Sequence, residues 1–324
     1  MRVKSVRLML ILMLCALPSA CASGSAGAPS ATAAPPRPAV LDELPRGENK
    51  LPLINVYLTD ASTVAEMDIE TYVCGVLAGE MPSDWPLEAL KAQAILARTF
   101  VLKFVSEKSS RYGGADISTD ITEAQAYDAE AVNETIRQAV NETRGQVLLT
   151  SSGELPYAWF HAHSGGTTAL AREALGWNKP DPAYTQVVDG LDSKDAPAEA
   201  IAWEANFAIS DFLRACRAAG VPCETARSVT IGEKGPSGRA VTLLVDGVSV
   251  PAPELRIALG STVMRSTLLD EVRVTDGNVF IAGRGYGHGV GMSQWGAYAL
   301  AQDGMSGEDI AAYYFKGLSV ATLW

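Results

Sequence analysis

The sequence predicts an α+β fold, with helices and mostly antiparallel strands forming a cleft. Three observations point there. Short β-rich runs are joined to one another by tight turns such as Asp246-Gly247, and strands and helices do not alternate one by one. Hydrophobic residues make up 48% of the chain, which supports a substantial core. About 270 residues follow the N-terminal low-complexity stretch, enough for one large domain or two closely joined ones, and no internal repeat divides them.

Val6 to Ala20 is a short apolar run behind Arg2, Lys4 and Arg7, the pattern of a secretory signal rather than a full membrane span. Cys21 follows Leu17-Pro18-Ser19-Ala20, which resembles a lipoprotein cleavage site with Pro18 where an apolar residue is usual. Lipidation, an uncleaved anchor over residues 1–21 and ordinary cleavage all stay open. Ala22 to Pro45 is rich in Ala, Ser, Gly and Pro, so a disordered tether is expected over residues 22–50, ahead of a folded domain over 51–324.

Leu53 to Leu58 reads as a strand. Ile69, Val73, Val76 and Leu77 recur at helical spacing, so Ile69 to Ala78 reads as a helix, and Pro82 turns Met81 out of it. Ser83 or Asp84 offers a cap and Pro86 a first turn for a long amphipathic helix striped by Leu87, Leu90, Ala94, Ala97, Val101 and Phe104. Further helices are expected at Ala129 to Thr143, Ser210 to Ala219, Pro253 to Leu259, Met292 to Gln302 and Gly307 to Tyr314. Strands are expected at Ser228 to Ile231, Ala240 to Val245, Val248 to Val250 and Asn278 to Ala282. Gln146 to Thr150 reads as the first strand of a hairpin, turned at Ser152-Gly153 and closed by the run from Trp159.

Three segments carry the candidate chemistry. In Gly79-Glu80-Met81, Glu80 sits near a helix C-terminus, where the macrodipole opposes negative charge; any burial pushes the same way and makes it a candidate general acid. Lys91 and Arg98, seven residues apart on the next helix, share a face that meets a sugar hydroxyl, steadies Glu80 or is simply solvated. The second segment, Trp159 to Thr167, holds His161, His163 and Ser164. The third, Gly283 to Gly296, alternates glycines through Tyr286 and His288 to Gln294 and Trp295, and lacks the endings of a phosphate loop. All three histidines of the chain lie in these last two segments, so a three-histidine zinc site competes with a purely polar cleft. Ser164 has neither a nucleophile elbow nor an acidic partner placed by sequence.

Taken together, Glu70-Thr71-Tyr72-Val73, Gly79 to Pro82, Leu87 to Ala94, Ala97-Arg98-Thr99, His161 to Thr167 and Gly285 to Ala297 resemble the SpoIID/LytB (amidase-enhancer) family. The resemblance covers nearly everything after Leu51. It implies a peptidoglycan lytic transglycosylase acting on peptide-stripped glycan strands during endospore engulfment, with Glu80 as its catalytic residue. Lys91, Arg98, His161, His163, Ser164, Tyr286, His288, Gln294 and Trp295 are then the expected substrate-binding residues. One branch of the family binds zinc through the first histidine of the second segment and two downstream cysteines; here those positions hold Thr167 and Glu173, so no metal or other cofactor is expected. The expected partners are glycan strands, a cell-wall amidase or endopeptidase of the engulfment machinery, and the membrane through the N-terminus. The expected location is extracytoplasmic.

The net charge of −11, with no basic stripe, argues against nucleic acid. Cys216 and Cys223 read as a disulfide or as two buried thiols. Asp84 and Glu88 are candidate second carboxylates, a cap and a solvated residue being the alternatives. Two other functions stay open: a non-catalytic glycan-binding enhancer of a cell-wall amidase, and a metal hydrolase built on the three histidines.

Overall fold

The computed structural model describes residues 37–324. The expected signal segment and the first part of the tether lie outside the described residues. In chain order the elements are α1 (Val40–Glu43), β1 (Leu53–Leu58), β2 (Thr63–Asp68), α2 (Ile69–Glu80), α3 (Leu87–Glu107), β3 (Ile117–Ser118), α4 (Glu134–Glu142), β4 (Gln146–Leu149), β5 (Phe160–His161), α5 (Ala171–Ala174) and α6 (Ala198–Ile201). There follow β6 (Ala202–Ala208), α7 (Ile209–Ala218), β7 (Val229–Ile231), β8 (Thr242–Val245), β9 (Val248–Pro251), α8 (Ala252–Leu259), β10 (Leu269–Thr275), β11 (Asn278–Arg284), β12 (Met292–Ser293), α9 (Gln294–Gln302), α10 (Gly307–Tyr313) and β13 (Ser319–Thr322). This is an α+β arrangement with mostly antiparallel pairing.

The packed chain begins upstream of residue 51. Val40 and Leu41 of α1 bury in the main core, and Arg46 bridges to Pro52 ahead of β1.

Among the described residues two large hydrophobic cores and one small cluster (Ala169, Ala174 and Val290) hold the buried apolar side chains. The first surrounds α3, which α2, α4, α9, α10 and β4 all touch. The amphipathic reading of α3 is corrected: Ala89, Ala92, Ala94 and Ala97 are buried with the larger residues, and small side chains let helices approach it from several sides. Pro86, not Ser83 or Asp84, occupies its cap position. α4 starts five residues later than the sequence suggests, because Asn133 caps it by accepting the Ile136 N–H at 3.1 Å.

The second core lies between the antiparallel sheet β10-β11-β6, the meander β7-β8-β9, and helices α7 and α8. Asp246-Gly247 turns β8 into β9 with both φ values positive (46° and 86°), the geometry such a turn requires. Cys216 and Cys223 sit in this core as free thiols.

The expected hairpin at residues 146–160 does not form. The turn at Ser152-Gly153 is present, but Pro156 has no N–H to give to a ladder. β4 pairs instead with β13 near the C-terminus, and β5 lies parallel to β12. That second pairing brings the histidine segment against the glycine loop.

Candidate functional site

Glu80 is the last residue of α2. Its Oε1 accepts the Ala126 N–H at 2.7 Å, and its own carbonyl accepts a weak bond from Gln294 Nε2 at 3.4 Å. The sequence brings the 126–127 backbone this close by placing glycine at 79: a Cβ there would stand 2.7 Å from the Tyr127 nitrogen. Burial pushes the Glu80 carboxyl up to about 7, against the opposing pull of the Ala126 and Gln294 hydrogen bonds. A carboxyl poised there is both an acid and, once spent, a base near neutral pH.

The histidine segment and the glycine loop form the facing wall. His163 and Tyr286 exchange backbone hydrogen bonds at 2.9 and 2.8 Å. Gly287 sits at φ 109° where a Cβ would lie 2.7 Å from the His161 Cβ. Alternating glycines thus let one chain segment press on another. Both cleft histidines are oriented by Val290: His161 Nδ1 meets its carbonyl at 3.2 Å, and His288 Nδ1 accepts its N–H at 3.0 Å. The rings stand 5.8 Å apart. Burial lowers the pKa of His161 to about 3 and that of His288 well below the usual histidine value, so both are neutral at pH 7.

These groups line a cleft of about 460 Å³ that contains Glu80, Gln125, Trp159, His161, Tyr286, His288 and Gln294, with Phe100, Ile121, Ala124, Ala158, Phe160, Ala162 and Gly287. Glu80 is the only carboxylate among its lining residues. Trp295 is not on that lining; it packs on Trp85 at 4.5 Å and on Tyr298 at 5.2 Å.

Besides Trp295, four more expected binding residues are placed elsewhere. Arg98 is wholly buried, with Nε and Nη2 donating to the Glu70 carboxylate (shortest contact 2.6 Å) and Nη1 to the Gln146 carbonyl at 2.9 Å. It joins the first core to the start of β4 and has no face for a sugar. Lys91 is held between Glu88 at 2.7 Å and Glu142 at 2.5 Å. Glu88 also accepts the Gly307 N–H at 2.7 Å and is a framework group rather than a second catalytic carboxylate. Ser164 is fully buried and donates to Asp192, and His163 lies 3.5 Å from the same carboxylate while accepting the Gly165 N–H at 3.0 Å.

Asp192 has no motif around it, and sequence reasoning missed it. Its carboxylate accepts the Ser164 N–H at 3.0 Å, the Gly166 N–H at 3.1 Å and the hydroxyls of Ser164 and Ser293, so one buried acid ties the histidine segment to the cap of α9. Gln125 was missed for the same reason.

The residues present do not fit a zinc ion. Among the described residues no group of three or more His, Cys, Asp or Glu is gathered to hold a metal. Thr167 Oγ1 is turned toward backbone carbonyls, and Glu173 is spent on Leu170 N at 2.8 Å and Ser237 Oγ at 2.8 Å.

The fold and the cleft define an α+β protein with one proton-poised carboxyl at a helix end, faced by two neutral histidines. The sequence model of the Stage II sporulation protein (SpoIID) family matches residues 57–149, a stretch that includes Glu80 and Gln125. The chain is 30% identical over 282 residues to stage II sporulation protein D of Bacillus subtilis (strain 168), covering 83% of this chain and 78% of that one. It is 29% identical over 281 residues to stage II sporulation protein D of Bacillus amyloliquefaciens, with the same two coverages, 83% and 78%. The amidase enhancer of Bacillus subtilis (strain 168) is 28% identical over 295 residues, 76% of this chain and 40% of that protein. The chain belongs to the SpoIID family, a family of sporulation and cell-wall proteins.

Proposed function

We propose that this protein is a lytic transglycosylase that cleaves peptide-stripped peptidoglycan glycan strands in endospore engulfment. The observation that carries the reading is a single carboxylate in the cleft, with its pKa raised to about 7. Glycosidases that use water commonly need two carboxyl groups, one to protonate the leaving oxygen and one to activate water or attack the sugar. One group suffices when the second nucleophile belongs to the substrate. Neutral Glu80 gives its proton to the glycosidic oxygen as the C1–O bond breaks. The carboxylate left behind takes the proton of the muramic C6 hydroxyl, whose oxygen closes onto C1 as a 1,6-anhydro ring. Glu80 ends the cycle protonated, and no water is consumed.

Neutral His161 and His288 suit this chemistry because they add no positive charge beside a sugar that becomes cationic in the transition state. Tyr286, Gln294 and Trp159 supply polar and stacking contacts to sugar rings. An extracytoplasmic position with an N-terminal membrane attachment, and cooperation with a cell-wall amidase or endopeptidase, complete the proposal. The name of the amidase enhancer relative favours a second reading, in which the cleft holds glycan and stimulates an amidase without cutting. Incubation of peptide-free strands with the wild-type protein and with Glu80→Gln separates the two. Cleavage by the wild type alone supports the first reading; no cleavage by either supports the second.

A further inference from the structure

Gln125 is the one cleft residue whose side chain has polar atoms buried and wholly unpaired at both ends. The residue is 2% exposed, and neither Oε1 nor Nε2 has a hydrogen-bond partner among the described residues. It lines the same cleft as Glu80, and its neighbour Ala126 donates the backbone N–H that holds the Glu80 carboxylate at 2.7 Å. A primary amide offers two donors and an acceptor, and burying both ends unpaired is unfavourable unless an incoming group satisfies them. Ala124, Ala162 and Phe100 add a small apolar surface to the same cleft.

The geometry points to Gln125 as the residue that selects for an N-acetylated sugar beside the scissile bond, an inference that rests on the glycan reading proposed above. An acetamido group is neutral and carries a carbonyl acceptor, an N–H donor and a methyl. Gln125 Nε2–H donates to the acetamido carbonyl, Oε1 accepts from a sugar hydroxyl, and the apolar surface takes the methyl. In a trans acetamide the N–H and the carbonyl point opposite ways, so a side-chain amide engages one of them and not both. A de-N-acetylated sugar loses the carbonyl and the methyl and keeps an ammonium at the former amide nitrogen. Nε2 then has no acceptor to meet and is left unpaired in a buried site. The fixed backbone link through Ala126 sets the distance between this contact and the Glu80 carboxylate, so reading the acetamido also places the glycosidic oxygen.

The test uses the full chain carrying Glu80→Gln, which binds without turnover, and two probes: peptide-free glycan strands, and the same strands after chemical de-N-acetylation. Calorimetric titration should show the parent preferring the acetylated strands by about tenfold or more. Adding Gln125→Leu should remove most of that preference while leaving affinity for the de-N-acetylated strands nearly unchanged. Adding Gln125→Glu, measured at pH 6 where the sugar amine is protonated and checked by thermal melting for an intact fold, should turn the preference toward the aminated strands. Equal loss on both strands, or an unaltered preference in the variants, would show that Gln125 only packs or holds water, and would overturn the inference while leaving the glycan reading intact. Failure of the Glu80→Gln parent to bind either strand would refute the glycan reading itself, and this inference with it.

Discussion

Replacing Glu80 by glutamine should stabilise the fold at alkaline pH and do nothing at acid pH. The raised pKa sets the size of the effect. Its rise from the ordinary 4.5 to about 7 means that the folded state disfavours the ionised carboxylate by about 3 kcal/mol. Below pH 4.5 the group is neutral in both folded and unfolded chains, and its contribution to stability is undiminished. That contribution is lost as pH rises through about 7, and above it the full cost applies. Glutamine keeps the shape and still accepts the Ala126 N–H, but has no charge to bury. Urea unfolding of both proteins at pH 4 and pH 8 reads this directly, because comparing the offset between proteins across pH cancels every other titrating group. The offset should be close to zero at pH 4 and about 2–3 kcal/mol in favour of Glu80→Gln at pH 8. Equal offsets at both pH values would mean that Glu80 titrates in the ordinary range and holds no proton to donate at neutral pH.

The same pKa predicts that the cleavage rate of the wild type declines as pH rises through about 7, as the acid form disappears; a rate that climbs through that range would contradict the role of Glu80. Gly79→Ala sets a methyl 2.7 Å from the Tyr127 backbone nitrogen and should cost about 1–3 kcal/mol and most of the activity, read by thermal melts and strand cleavage. Asp192→Ala leaves two serine hydroxyls and two N–H groups without their acceptor and should cost about 3–5 kcal/mol at pH 7. The Asp192 pKa is lowered, by His163 and by the serine bonds against the effect of burial, so its stabilisation is present above the ordinary 3.8 and fades as pH falls below it; a variant gap that widens in acid would be the wrong sign. Activity should survive treatment with EDTA, since the residues around His161 do not gather a metal; loss on chelation with recovery on adding zinc would contradict this.

The parts of the site that announce themselves locally were legible in the sequence. Pro82 after Gly79-Glu80-Met81 marks a helix end, and the helix does end at Glu80. The glycine alternation marks a close approach by a ligand or another chain segment, and the histidine segment of the same chain is what packs against it. What failed to show was any role set by distant pairing. Arg98 has the charge and spacing of a surface group, and only the fold reveals Glu70 and the Gln146 carbonyl waiting for it in the core. β4 looks like half of a local hairpin because its true partner, β13, is some 170 residues further along. β2, β3, β6, β10 and β13 were not foreseen; β2 and β10 each leave one edge of a sheet open and carry mostly exposed or half-buried residues, which blurs the apolar signal. Asp192 and Gln125 stand in stretches without motif, and their importance comes from what surrounds them in space.

The central claim is that one carboxyl, with no water consumed, breaks the glycan. Mass spectrometry of the products formed from peptide-free glycan strands tests it most directly. The account predicts fragments ending in 1,6-anhydro-muramic residues, each lighter by one water than a reducing end, and absent with Glu80→Gln. Reducing ends carrying oxygen from labelled water would contradict it and require a second catalytic group.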